Sequence, residues 1–124
     1  MKFRGRVARP GKIGTMAYDT QLAQRLEKLI SRRDDFYAQK MFGGVGFLLR
    51  GNMCFGVYKE YLILRLGKDA AAGALKKKGT RPFDITGRAM SGWVMVGKQK
   101  TASEAALKSW TAQAIDFVST LPRK

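Results

Sequence analysis

Histidine is absent from the 124-residue sequence, and cysteine occurs once. The first absence removes Ser–His–Asp and Cys–His catalysis, the histidine general base and the histidine metal ligand. The second excludes an internal disulfide and any multi-cysteine zinc site. Cys54 stands between Met53 and Phe55, apolar neighbours that supply no cation to activate a thiol, so it reads as a small strand residue. Proline occurs only three times, and no apolar run approaches the roughly 18 residues of a membrane span. The longest, Val45–Leu49 and Tyr61–Leu66, are strand-sized. Neither end carries a hydrophobic signal segment, which makes the cytoplasm the expected location.

Acid is also scarce. Twenty-four Lys and Arg face nine Asp and Glu, for a net charge of +15. The acids form no catalytic set: uniting a pair from Glu60, Asp69, Asp84 or Asp116 has no support in their spacing. No EF-hand loop is present, and no cofactor or metal is implied. The excess of bases suits a polyanionic partner such as nucleic acid, and equally a well-solvated basic surface. Lys2, Arg4, Arg6, Arg9 and Lys12 lie in the first fifteen residues, where there is no acid; the remainder is still +10.

Length and composition fit one domain with its own core. Residues 1–15 read as a basic flexible arm punctuated by Gly5, Pro10, Gly11 and Gly14, and Met16 precedes a helix start, placing the domain at 16–124. The first helix is expected from Asp19 or Thr20, with Leu22, Leu26, Leu29 and Ile30 on one stripe and Arg32–Arg33 in the last turn. Asp34 and Asp35 read as its polar end. The period then changes. Val45–Arg50 and Met53–Tyr58 flank Gly51–Asn52, a hairpin signal, and Lys59–Glu60 leads into Tyr61–Leu66, giving an antiparallel meander.

Asp69 is positioned to cap a short helix, Ala70–Lys77, ahead of Gly79. Its Lys76, Lys77 and Lys78 are candidates for nucleic-acid contact, or cations that complement a helix C-terminus. Arg81–Ile85 and Trp93–Val96 are expected strands around a loop. Thr101 and Glu104 form a T-x-x-E capping box for a last helix carrying Leu107, Trp110, Ala114, Phe117 and Leu121, stopped by Pro122. The fold class is therefore α+β, with an antiparallel meander, in the order α-β-β-β-α-β-β-α.

Two longer motifs carry a family likeness. Lys40-Met41-Phe42-Gly43-Gly44-Val45-Gly46-Phe47, with Gly51-Asn52-Met53 and Gly56-Val57-Tyr58, is similar to the N-terminal domain of TfoX/Sxy competence regulators. So is Arg81-Pro82-Phe83-Asp84-Ile85-Thr86-Gly87-Arg88-Ala89-Met90-Ser91-Gly92-Trp93-Val94. The start at Met16-Ala17-Tyr18-Asp19 and the Trp110 helix extend the likeness over about residues 16–122. The resemblance implies a two-layer domain with helices packed on an antiparallel sheet, similar to the secretion-chaperone-like architecture. It also implies a non-enzymatic regulatory, protein-binding role: the family's best-known members are transcriptional co-regulators of DNA-uptake genes that act with a cyclic-AMP receptor protein. Those members carry a second, C-terminal domain, whereas residues 16–124 account for one.

Within the motifs, Gly43, Gly44 and Gly46 fit either a strand bend with close backbone approach or amides exposed to an anion. Without a following Lys-Ser/Thr and helix they are not a phosphate loop. Lys40, Arg65, Arg81, Asp84 and Arg88 complete the candidate binding surface, with Trp93 and Trp110 as core anchors. The expected partner is a protein such as a transcription factor; nucleic acid is the alternative and a homodimer fits an exposed sheet face. A deep pocket joining Asp84, Arg88 and Arg65 would instead mark an enzyme.

Overall fold

The computed structural model describes residues 18–41, 43–84 and 90–124. The proposed arm, Phe42 and Arg88 therefore lie outside the described residues. Six antiparallel strands form one sheet in the order β1-β2-β3-β4-β6-β5, where β1 is Phe36–Met41, β2 Gly44–Leu49, β3 Asn52–Tyr58, β4 Tyr61–Arg65, β5 Thr80–Pro82 and β6 Trp93–Val96. Three α-helices accompany it among the described residues, α1 (Thr20–Leu29), α2 (Lys68–Ala74) and α3 (Glu104–Val118). The α+β class and the helix–sheet architecture are as expected. The order gains one strand, β1.

β1 has no regular apolar alternation because it is an edge strand. Only Phe36 is fully buried, while Tyr37, Gln39 and Lys40 are exposed. Asp35 does not end a helix: α1 stops at Leu29, and the Asp35 carboxylate accepts from Arg33 at 3.0 Å and Arg50 at 3.5 Å. The Arg50 amide donates to the Asp35 carbonyl at 2.9 Å, tying the entry to β1 to the β2–β3 turn. That turn is Arg50–Gly51 rather than Gly51–Asn52. Leu49 pairs with Asn52, and Arg50 and Gly51 take φ of 51° and 89°, the double left-handed geometry of a tight hairpin. Asn52 is drawn into the sheet, where its amide donates to the Pro122 carbonyl at 3.0 Å.

The helix starts differ in similar ways. Asp19 caps α1 as expected, accepting from the amides of Gln21 and Leu22. The cap of α3 is Ser103, which accepts from Ala106; Thr101 is buried and donates to the Lys98 carbonyl. Glu104, freed from a capping box, pairs with Arg25 of α1 at 3.1 Å. Gly67, not Asp69, precedes α2, which ends at Ala74, so the three lysines follow the helix instead of closing it.

One face of the sheet carries the main core. Leu22, Leu26 and Ile30 from α1, and Leu107, Trp110, Ala114 and Val118 from α3, pack against Val45, Phe47, Phe55, Leu62, Leu64 and Val94. Trp110 anchors there as expected. Trp93 belongs to the opposite face, in a small cluster with Ile63, Phe83 and Met95. No buried side-chain nitrogen or oxygen among the described residues lacks a hydrogen-bond partner. No helix is long and apolar enough to cross a membrane, among the described residues.

Candidate functional site

The opposite face is read from the register. Gly46 pairs with Gly56, Gly56 with Ile63, Ile63 with Met95, and Met95 with Arg81, one row across five strands. The β2–β3 end of that row carries no side chains because there is little space for them. A Cβ on Gly44 would stand 2.1 Å from the Val57 carbonyl oxygen, and one on Gly56 2.4 Å from that of Val45. Gly46 lies beneath the Met53 sulfur, 2.6 Å from where its Cβ would be. These glycines serve close approach, and the strand irregularity falls just beyond them at Phe47–Leu48. Gly43 is in the β1–β2 turn at φ 80°.

At the β4–β6–β5 end the row becomes aromatic and cationic. Tyr58 and Tyr61 face each other across the β3–β4 hairpin. Phe83 packs edge-on to Tyr58 (6.3 Å) and tilted against Trp93 (5.8 Å). The Arg81 guanidinium sits 5.6 Å above the Tyr61 ring while its Nη1 donates to the Tyr61 hydroxyl at 2.9 Å. Arg65 lies 5.4 Å over Trp93 and donates to the Met53 carbonyl at 3.4 Å. Lys59 stacks on Tyr58 at 5.4 Å. Each stack fixes a long side chain on an amphipathic ring while leaving cation edges in water.

Two open depressions adjoin the Arg81–Tyr61 stack. One, of about 450 Å³, is bounded by Tyr58, Lys59, Asp84 and Met95. The other, of about 410 Å³, is bounded by Gly79, Gly97, Lys98 and Lys100. Glu60, Tyr61 and Arg81 border both.

The candidate residues are therefore brought together in part. Arg81 and Asp84 share the first depression, but Arg81 turns to Tyr61 rather than to Asp84. Arg65 is held by Trp93 and Met53 on the same face without lining either depression. Lys40, Gly43 and Gly44 belong to the β1–β2 hairpin at the far edge of the sheet. Arg88 lies outside the described residues. Neither depression brings Asp84 to Arg65, and no cluster of three or more His, Cys, Asp or Glu is placed to hold a metal, among the described residues. Cys54 is buried, and desolvation pushes its thiol up to about 12, which keeps it protonated and inert near neutrality.

Tyr58, Tyr61, Lys98 and Lys100 were not readable as site residues from the sequence. The tyrosines look like strand apolars, and the lysines reach the site through pairing between segments nearly twenty residues apart. The TfoX N-terminal domain family matches residues 28–118, which spans all six strands and the whole of the last helix. No curated protein and no solved structure matches the chain. With a match over most of its length and the two-layer sheet that the glycine-rich and Arg81–Val94 motifs imply, the chain belongs to the TfoX N-terminal domain family, a regulatory type of domain.

Proposed function

We propose that this domain is a non-enzymatic regulatory module that works by docking a protein partner, such as a component of the transcription machinery, on the open face of its sheet. The observation that carries the reading is the set of arginine–aromatic stacks, Arg81 on Tyr61 and Arg65 on Trp93. Arginine, tyrosine and tryptophan are the residues on which binding energy concentrates at protein interfaces, and stacking preorganises them before the partner arrives. The half-buried rings lose little side-chain entropy on docking, and the cation edges supply orientation. The depressions around them are open rather than enclosed, which suits a macromolecular surface better than a small substrate. The membership in a regulatory family supports the same reading, with the cytoplasm as the proposed compartment.

The test is affinity capture from the native cell with the full chain and with Arg65→Gln/Arg81→Gln. A transcription regulator retained by the first and lost by the second supports the proposal. Retention of the same proteins by both variants contradicts docking at this face. Turnover of a small molecule by the purified chain would contradict the non-enzymatic reading.

A further inference from the structure

We infer that the corner formed by Lys76, Lys78, Lys98, Lys100 and Arg81 is a contact site for the phosphate backbone of a nucleic acid. Two segments nearly twenty residues apart build it. The Gly97 amide donates to the Gly79 carbonyl at 2.8 Å, which joins the turn after α2 to the 3-10 turn Lys98–Lys100. Gly79 takes φ 87°, and a Cβ there would stand 2.7 Å from Lys100 Cγ, so the absence of a side chain lets the Lys100 stem lie across the turn. The Thr80 hydroxyl meets the carbonyls of Ala74 at 2.7 Å and Lys77 at 2.8 Å, closing the lysine-bearing turn. Lys77 is anchored 5.6 Å over the Trp110 ring. The cations are thus carried on a fixed frame rather than on a loose tail.

Arg81, Lys98 and Lys100 border the 410 Å³ depression, where Glu60 is the acid, and like charges gathered on one surface repel. None of Lys76, Lys78, Lys98 and Lys100 forms an ion pair with a described residue. An anion relieves the repulsion, and the form of the site indicates which kind. A single small anion is held by convergent, fixed donors in an enclosed cavity. Here the depression is open and most donors are lysine ammonium groups on flexible stems, which suit a chain of repeating phosphates bound through counterion release. Tyr61 beneath Arg81 adds the aromatic surface that nucleic-acid grooves interleave with cations, and that an acidic peptide does not need.

The inference goes beyond protein docking on the open face. Lys76, Lys78, Lys98 and Lys100 take part in neither arginine–aromatic stack, so variants at these lysines test the corner while Arg81 stays on Tyr61 and Arg65 on Trp93.

The test is fluorescence anisotropy of a labelled oligonucleotide, single-stranded and duplex, with the full chain between about 50 and 200 mM salt. Lys98→Gln/Lys100→Gln and Lys76→Gln/Lys78→Gln keep most of each stem and remove two charges. Lys28→Gln/Arg32→Gln, in the last turn of α1 and just beyond it, removes the same charge from an exposed surface. Each corner variant is expected to weaken binding about tenfold at the low-salt end and to lower the slope of log K against log salt by about two, roughly one for each phosphate no longer neutralised. The α1 variant is expected to shift either quantity by less than half as much. Equal losses in all three variants would reduce the binding to diffuse charge and overturn the inference. So would displacement of the oligonucleotide by polyglutamate at equal charge concentration, which would assign the corner to an acidic protein. A second readout needs no variant: bound oligonucleotide should protect Lys76, Lys78, Lys98 and Lys100 from acetylation, and unchanged acetylation would equally overturn it.

Discussion

The two faces of the sheet are built on opposite principles. On one, α1 and α3 cover an apolar layer in which Phe47, Phe55, Leu62, Leu64 and Val94 are fully enclosed. On the other, the β2–β3 end is stripped to glycine beneath two methionines, and the β4–β6–β5 end carries a thin cluster crowned by stacked cations. The first face is where the folding energy concentrates, since stabilisation follows apolar area removed from water. The second keeps rings and cations at the surface at the expense of such burial. The contrast between the two faces makes separable predictions for stability and, on the proposed docking role of the second face, for binding.

The largest effect is expected on the covered face. Phe47→Ala removes a fully buried ring that packs on Phe55 at 5.5 Å, and should cost about 3–5 kcal/mol in denaturant unfolding. A value below about 1 kcal/mol would mean that the helices do not seal this face as described. Next comes the glycine end of the open face. Gly44→Ala drives a methyl into the Val57 carbonyl and should cost about 1–3 kcal/mol, with no change in oligonucleotide binding. An unchanged midpoint would show that β2 and β3 have room to separate.

Smaller effects sharpen the comparison. Arg81→Gln removes one exposed stack and one hydrogen bond, and should destabilise by less than about 1 kcal/mol, or a few degrees in Tm, while weakening partner capture. Asp35 provides a pH signature at the β1 edge. Its hydrogen bonds from Arg33 hold its carboxyl below the ordinary carboxylate value. A carboxylate with a depressed folded pKa contributes stability that is present above its unfolded pKa, near about 4, and lost as pH falls through the lower folded value. The Tm difference between the native chain and Asp35→Asn should therefore be present at neutral pH and shrink through the acid range below about 4. A difference that is constant with pH would show that the ion pair does not stabilise the β1 edge. The smallest effect is expected from Arg25→Ala, whose pair with the exposed Glu104 is worth under about 1 kcal/mol and should fade in high salt.

The covered face was legible in the sequence because burial imposes a period. Leu22, Leu26 and Ile30 repeat along α1, and Val45, Phe47 and Leu49 alternate along β2, so element type followed directly. Strand β1 was not legible, since an edge strand with Tyr37, Gln39 and Lys40 in water has no strong pattern to read. The caps and turns were ambiguous for a different reason. Thr101 and Ser103 are both competent caps, and Arg50–Gly51 and Gly51–Asn52 both fit a two-residue turn; a local bond to the Lys98 carbonyl occupies Thr101, and a long-range bond to the Pro122 carbonyl draws Asn52 into the sheet. The basic corner was half legible. Lys76–Lys78 stands out as a run, but Lys98 and Lys100 join it through the β5–β6 pairing and the Gly79–Gly97 hydrogen bond, non-local contacts that spacing does not encode.

The claim that the open face serves binding while the helix-covered face serves stability is tested most directly by one paired measurement on Arg65→Gln/Arg81→Gln. Thermal unfolding and partner retention are followed on the same full-length sample. The expected result is a melting temperature within a few degrees of the native chain together with loss of the retained partner. A chain that keeps its partner, or that unfolds cooperatively at a temperature lower by as much as Phe47→Ala, would contradict the claim.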